Sequence, residues 1–260
     1  MSELVKSNPQ RLNEMLNAPS VQKQFGQALG DAKGTFISSL LSIYTSNSQL
    51  TKCEPSDLIV EALKAASLKL PIDSNLGLAY IIPYKGKPQF QLGYRGLLQL
   101  AIRSGVYKNI NADVVYEGEL VSFDKVSGNI DLSGDKTSDN VVGYFAYCST
   151  IYGFEKTIYM TRDEVDNHAK RFSSAYKFRK DSLWHTDFDA MAKKTVLKRL
   201  LSVYGQLSIE VQQTLSSEDN VIKQDLERAS NVVLNIDESV DAGPGEMLSE
   251  AEEAKVETPY

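Results

Sequence analysis

Lysines, arginines, glutamines and tyrosines are the residues of this chain whose spacing carries chemistry. Ser74 to Ala112 contains no acid and five bases, Lys85, Lys87, Arg95, Arg103 and Lys108. Arg95, Gln99 and Arg103 recur every fourth residue, which on a helix makes one polar stripe opposite Leu97, Leu98 and Ala101. Just upstream, Gln89 and Gln91 alternate with Phe90 and Leu92, the pattern of a strand with one polar face. A second basic constellation fills His168 to Gly205, with nine bases against three acids: Lys170, Arg171, Lys177, Arg179, Lys180, Lys193, Lys194, Lys198 and Arg199. The lone tryptophan, Trp184, sits among them. Cations meet phosphates, amides hydrogen-bond to their oxygens and aromatic rings stack on bases, so the combination suits a phosphodiester backbone.

Each of these residues also has a plainer reading. Tyr80 and Tyr94 fit a core as well as a base, and Trp184 either stacks on a base or anchors its loop by packing. On a helical wheel from Phe188, Lys194 and Lys198 share the narrow polar face. Lys193 and Arg199 emerge through the apolar arcs, where a long cation either snorkels or edges a groove. Basic grooves with aromatics do not separate DNA from RNA, so a protein that coats nucleic acid without further activity remains a competing reading.

Catalytic signatures are missing. There is no G-x-x-x-x-G-K-[ST], G-x-S-x-G, H-E-x-x-H or G-x-G-x-x-G. His168 and His185 are the only histidines and lie seventeen residues apart, without a cysteine or second histidine at ligand spacing. A metal nuclease needs clustered carboxylates beside a lysine, and Glu155-Lys156 alone does not supply them. No cofactor, metal site or enzymatic activity is expected.

The elements that must position the cations are legible in outline. Residues 1–34 read as short polar helices, and Thr35 to Tyr44 as a more apolar one. Pro55 opens a helix with Leu58, Ile59, Ala62, Leu63 and Ala66 at helical spacing, closed by Pro71. Leu78–Tyr84 and Lys87–Leu92 read as a hairpin around Lys85-Gly86, followed by a helix from Tyr94 to Ser104. Ala112–Tyr116, Leu120–Phe123, Val141–Thr150 and Phe154–Met160 read as strands. Thr161-Arg-Asp-Glu164 is a capping box for a helix to Phe172. A polar, aromatic loop over Ser173–His185 leads to a helix from Asp187 to Tyr204, with two further helical stretches at Ser208–Ser217 and Val221–Leu234. The class is α+β, an antiparallel sheet and a hairpin packed with helices.

Length and charge bound what such a body does. The 260 residues are 42% apolar, enough for a substantial core, and Cys53 and Cys148 are too few for a disulfide framework. No apolar run is long enough to span a bilayer, and the first residues lack a secretory apolar region, so a cytoplasmic protein is expected. The net charge of −6 argues at face value against a nucleic-acid partner. It is unevenly spread, however. Gln206 to Tyr260 holds thirteen acids and three bases, leaving 25 bases against 21 acids in residues 1–205.

Four strings carry a resemblance. Gln91-Leu-Gly-Tyr-Arg-Gly-Leu-Leu-Gln-Leu-Ala-Ile-Arg-Ser-Gly105 resembles the signature of the RecT family of phage single-strand annealing proteins. Glu61-Ala-Leu-Lys-Ala-Ala-Ser-Leu-Lys-Leu-Pro71, Gly77-Leu-Ala-Tyr-Ile-Ile-Pro-Tyr84 and Lys193-Lys-Thr-Val-Leu-Lys-Arg-Leu-Leu201 are similar to other segments of that family. The likeness covers about residues 35–205, and Lys69 departs from it where glycine is expected. It implies an ATP-independent recombinase that binds single-stranded DNA and anneals complementary strands, with single-stranded and annealed duplex DNA as its ligands. It implies a homo-oligomeric ring or helical filament working with a 5′→3′ exonuclease, with a host single-strand binding protein as a further expected partner.

Under that resemblance the DNA groove is expected to use Lys85, Lys87, Gln89, Gln91, Arg95, Gln99, Arg103 and Lys108. From the second constellation it would use Arg171, Lys177, Arg179, Lys180, Trp184, Lys193, Lys194, Lys198 and Arg199. The expected organisation is a helical self-association segment (1–34), a DNA-binding and annealing core (35–205), a helical partner segment (206–235) and a disordered acidic tail (236–260). A tail of that charge would either bind a partner, such as the exonuclease or the host single-strand binding protein, or compete with DNA for the groove. If it competes, removal of the residues after Leu234 is expected to raise affinity for single-stranded DNA, most clearly below about 0.1 M salt in a binding titration.

Overall fold

The computed structural model describes residues 7–209 and 211–216. These lie in the first of the two units into which the chain divides, Met1–Glu218. The stretch Val221–Leu234 and the expected tail fall outside the described residues. Of the expected helix Ser208–Ser217, the backbone is helical at 209 and 211–216.

Four helices come first: α1 (Asn8–Leu16), α2 (Pro19–Leu29), α3 (Lys33–Ser46) and α4 (Pro55–Ser67). Proline stands in the first turn of α1, α2 and α4, where its missing N–H costs no helical bond. Leu12, Leu16, Phe25, Leu40 and Tyr44 from the first three helices are buried, and α1 and α2 pack against α4.

Helix α4 ends in a Schellman motif. The Leu70 N–H donates to the Ala65 carbonyl at 3.0 Å and the Lys69 N–H to the Ala66 carbonyl at 2.9 Å. Lys69 takes the left-handed conformation this motif needs, with φ of 52°, where glycine would be free of strain. The departure from the family string therefore falls on the residue where a Cβ is least welcome.

The hairpin of β1 (Ala79–Tyr84) and β2 (Lys87–Leu92) packs on α4 and turns through Lys85 and Gly86, both at positive φ. Helix α5 (Tyr94–Arg103) follows directly, and two glycines set its place. A Cβ on Gly93 would stand 2.0 Å from the Gly77 carbonyl oxygen, and one on Gly96 2.0 Å from that of Leu78. The first turn of α5 thus rests on bare backbone, with the Gly93 N–H donating to the Leu78 carbonyl at 2.9 Å.

A three-stranded antiparallel sheet has the order β3 (Tyr107–Tyr116), β6 (Val141–Thr150), β7 (Glu155–Thr161). Between β3 and β6 lies a small hairpin of β4 (Ser122–Phe123) and β5 (Ile130–Asp131). Its Phe123 ring meets Tyr159 at 5.5 Å, and Lys156 Nζ donates to the Ser127 carbonyl at 3.1 Å. Strand β3 starts five residues earlier than its apolar pattern indicates. Pairing decides this: polar Asn109 sits opposite Ser149, and its amide donates to that hydroxyl at 3.1 Å.

Helix α6 (Arg162–Phe172) has the expected capping box complete, Thr161 N to Glu164 Oε2 at 2.8 Å and Glu164 N to Thr161 Oγ1 at 3.2 Å. The segment expected as a loop holds two short helices, α7 (Ser174–Phe178) and α8 (Leu183–Thr186). Both are too short to show a period, and Ser173 caps the first by accepting from the Tyr176 N–H at 3.2 Å. Helix α9 (Phe188–Tyr204) crosses all three strands of the large sheet and also touches α5. One core runs from Leu12 to Leu215 and joins the helical layer to the sheet.

Where α6 and α9 begin, Tyr144 of β6 is fully buried and its hydroxyl donates to Asp189 Oδ1 at 2.6 Å. Arg162 Nη1 donates to the same hydroxyl at 3.1 Å and lies 3.5 Å from Asp189, over the Phe188 ring. Burial raises the Tyr144 phenol far above its ordinary value, and the bond to Asp189 adds to the rise.

Gly93→Ala and Gly96→Ala are each expected to lower unfolding free energy by about 3 kcal/mol, read by urea denaturation. Lys69→Gly is expected to raise it by about 0.5 kcal/mol, because relief of left-handed strain outweighs the added freedom of the unfolded chain. For Tyr144 the folded protein holds the phenolic proton more tightly than the unfolded chain does. Its contribution is complete below about pH 10 and fades as pH rises beyond that. Tyr144→Phe should cost about 1.5 kcal/mol at neutral pH. It should also flatten the alkaline limb of a stability–pH curve.

Candidate nucleic-acid interface

The hairpin tip and the first turn of α5 present the clearest cations. Lys85, Lys87 and Arg95 are exposed. In β1–β2 the register sets Lys87 opposite Tyr84, and Lys85 Nζ lies 5.4 Å from the Tyr84 ring. Two left-handed residues in a two-residue turn match the twist of the strands, so the tip is held rather than frayed. The stem of Arg95 runs along Gly77, where a Cβ would stand 3.5 Å from Arg95 Cδ. Arg95 therefore leaves the body from the place where α5 touches backbone.

Gln89 and Gln91 are half-buried on the strand face opposite the buried Phe90 and Leu92. Strand β2 is anchored from below by Glu61 of α4, whose Oε2 accepts the Phe90 N–H at 2.7 Å while Oε1 holds Lys64 at 2.6 Å. Gln99 is half-buried, and its Oε1 is the only buried side-chain oxygen or nitrogen among the described residues without a hydrogen-bond partner. Lys108 is exposed on β3.

Arg103 differs from Arg95 although both lie on one stripe. Its Nη1 donates to the Leu68 carbonyl at 2.9 Å and its Nη2 to the Lys69 carbonyl at 3.2 Å. The guanidinium thus meets carbonyls left over at the end of α4, where the helix dipole is negative. A cleft of about 200 Å³ opens beside it, between the ends of α4 and α5 and residues Ser208 and Val211.

In the second constellation Arg171, Lys177, Arg179 and Lys180 are all exposed. Arg171 lies 5.2 Å from the Phe172 ring, and Arg179 pairs with Asp181 at 3.1 Å. Lys170 pairs with Asp166, which also accepts from the Tyr176 hydroxyl; these bonds hold the Asp166 carboxyl below the usual range. Trp184 is 7% exposed and packs edge-on to Tyr176 at 6.2 Å and Phe188 at 5.6 Å, the geometry of the packing alternative, at the start of α9.

On α9, Lys194 and Lys198 are half-buried along one flank. Lys193 is half-buried too, 3.6 Å from Asp113 Oδ1 on β3. Arg199 is exposed, with Nη1 3.7 Å from Met160 Sδ on β7. The two constellations, remote in sequence, are brought onto neighbouring elements because α5 packs against α9. The structural cluster of Tyr144, Asp189 and Arg162 and the anchoring Glu61 carry no sequence signal, since each joins elements far apart in the chain.

Among the described residues, no group of three or more His, Cys, Asp or Glu could hold a metal ion, and no helix is long and apolar enough to cross a membrane. Cys53 and Cys148 are both buried as free thiols.

Comparison with known proteins bears on this arrangement. The chain is 47% identical over 206 residues to the uncharacterized protein YqaK of Bacillus subtilis (strain 168), covering 79% of this chain and 71% of that protein. It is 29% identical over 218 residues to Protein RecT of Escherichia coli (strain K12), 78% of each chain. The model of the RecT family matches residues 34–233, a span that takes in the hairpin, the glycine-seated helix and the basic helix α9. On that match, the chain belongs to the RecT family.

Proposed function

We propose that this protein binds single-stranded DNA along the hairpin tip, α5 and the flank of α9, and anneals complementary strands without ATP. Membership of the RecT family implies strand annealing in recombination. The observation that carries the reading to particular residues is the exposed set Lys85, Lys87 and Arg95 on a stretch that contains no acid. Lys108, Arg171, Lys177, Lys180, Lys194, Lys198 and Arg199 extend it. Backbone charges would be held while base edges stay free to test a second strand.

Several subunits would continue the groove, as a ring or a helical filament, so that a matched duplex stabilises the assembly through added phosphate contacts. No covalent step is required. An exonuclease that exposes single strands, and a single-strand binding protein that covers them, are the natural partners. The acidic C-terminal part, most of which lies outside the described residues, is the segment proposed to meet them.

Labelled complementary oligonucleotides, mixed with the protein in the absence of ATP, test this directly. Faster duplex formation with intact strands is the expected result. Coating without acceleration would support a nucleic-acid coat protein instead, and shortened strands a nuclease. Arg95→Ala should weaken binding equally across sequences and reduce the slope of log affinity against log salt by roughly 0.7. Arg103→Ala should in addition lower thermal stability, because it releases the carbonyls at the end of α4.

A further inference from the structure

We infer that the β6–β7 turn and the end of α9 form a base-stacking site for single-stranded nucleic acid, centred on Tyr152, Phe154 and Tyr204. This inference rests on the DNA-binding reading above and adds to it a contact with bases rather than phosphates. Tyr152 is 73% exposed, although the turn that carries it is tightly held. The Thr150 N–H donates to the Phe154 carbonyl at 2.8 Å, the Gly153 N–H to the Thr150 carbonyl at 3.1 Å, and the Phe154 N–H to Thr150 Oγ1 at 3.2 Å. Gly153 takes φ of 81°, which closes the turn without strain. A rigid turn holds the ring out in water, so little ordering entropy is lost when a flat partner covers it.

The surroundings select that partner. Side chains of β7 alternate, so Lys156 and Glu155 point to opposite faces; Phe154, just before the strand, and Lys156 both reach Tyr204 at the end of α9. The Phe154 and Tyr204 rings lie 6.3 Å apart, and Lys156 Nζ stands 5.5 Å from the Tyr204 ring. Arg199 is exposed on α9 one turn before Val203, itself 65% exposed. Strand β7 is the terminal strand of its sheet, and the β4–β5 turn reaches it at Lys156, whose Nζ also donates to the Ser127 carbonyl. Aromatic faces with cations at their margin suit a strand of bases linked by phosphates.

The test compares binding of the full-length protein to a labelled oligothymidine and to an abasic oligonucleotide of the same length, over a range of salt. The wild type is expected to prefer the oligothymidine. Tyr152→Ala should weaken that binding by roughly five- to tenfold, while leaving abasic binding and the salt slope unchanged. Tyr152→Trp should restore the preference. The side chain is exposed at a turn, so folding is not at stake, and thermal melting checks this. Oligothymidine affinity unchanged in Tyr152→Ala would overturn the stacking site while leaving the DNA-binding reading intact. So would equal losses on both ligands, or a shift in sedimenting size with discrimination retained, which would mark a contact between copies. Wild-type protein that binds neither ligand would sink the DNA-binding reading itself. Arg95→Ala is the control: it should weaken both ligands alike.

Discussion

The approach of α5 to the backbone of Gly77 and Leu78 is the constraint on which the basic surface depends. A carbonyl oxygen 2.0 Å from an imagined Cβ leaves room for hydrogen alone, so Gly93 and Gly96 decide where the helix begins. Everything downstream inherits that choice. The hairpin cannot swing away, because its second strand runs into Gly93 and its first leaves from Leu78. Arg95 is aimed outward because its stem has the bare surface of Gly77 to lie on. The same contact sets the height at which α5 meets α9, and with it the spacing between the two cationic segments.

A count of basic residues overstates the charge available to a ligand. Arg103 is engaged by the carbonyls of α4 and Lys193 faces Asp113, while Arg179 and Lys170 have carboxylate partners in their own segment. These ties are unequal. An exposed pair such as Arg179 and Asp181 holds its partners weakly in water, so a phosphate competes with it on fair terms. The Arg103 fork is anchored at two points, the Leu68 and Lys69 carbonyls, and it acts as part of the fold. The surface is therefore a graded one, with exposed cations at the hairpin tip and a structural one, Arg103, fixed at the end of α4.

Much of this was legible in the chain because the signals are local. Pro55, the Lys85-Gly86 turn, the box at Thr161 and Glu164 and the stop at Gly205 each act within a few residues, and the elements they bound appear where they indicate. What escaped depends on partners far along the chain. The first half of β3 is too polar to read as a strand until Ser149 is placed beside Asn109. Helices α7 and α8 are shorter than a period. Arg103 looks identical to Arg95 on a helical wheel, and only the position of Leu68 separates them. Trp184 reads as a platform or, rather more, as a plug, and its ring partners Tyr176 and Phe188 come from different segments. Tyr152 gave no signal, since an outward ring at a turn tip leaves no trace in a periodic pattern.

Among the described residues, the only non-glycine residues with positive φ are Lys69 and Lys85, and both are lysines. Left-handed backbone at a helix end and at a hairpin tip normally selects glycine or asparagine, for which this conformation is nearly free. Keeping lysine at both places gives up conformational ease to hold positive potential at the end of α4 and at the tip of the hairpin that leads into α5. An engineer seeking a more heat-resistant variant would replace these two residues first. The protein so obtained would be firmer and less cationic, which separates durability from attraction to a polyanion at two identifiable positions.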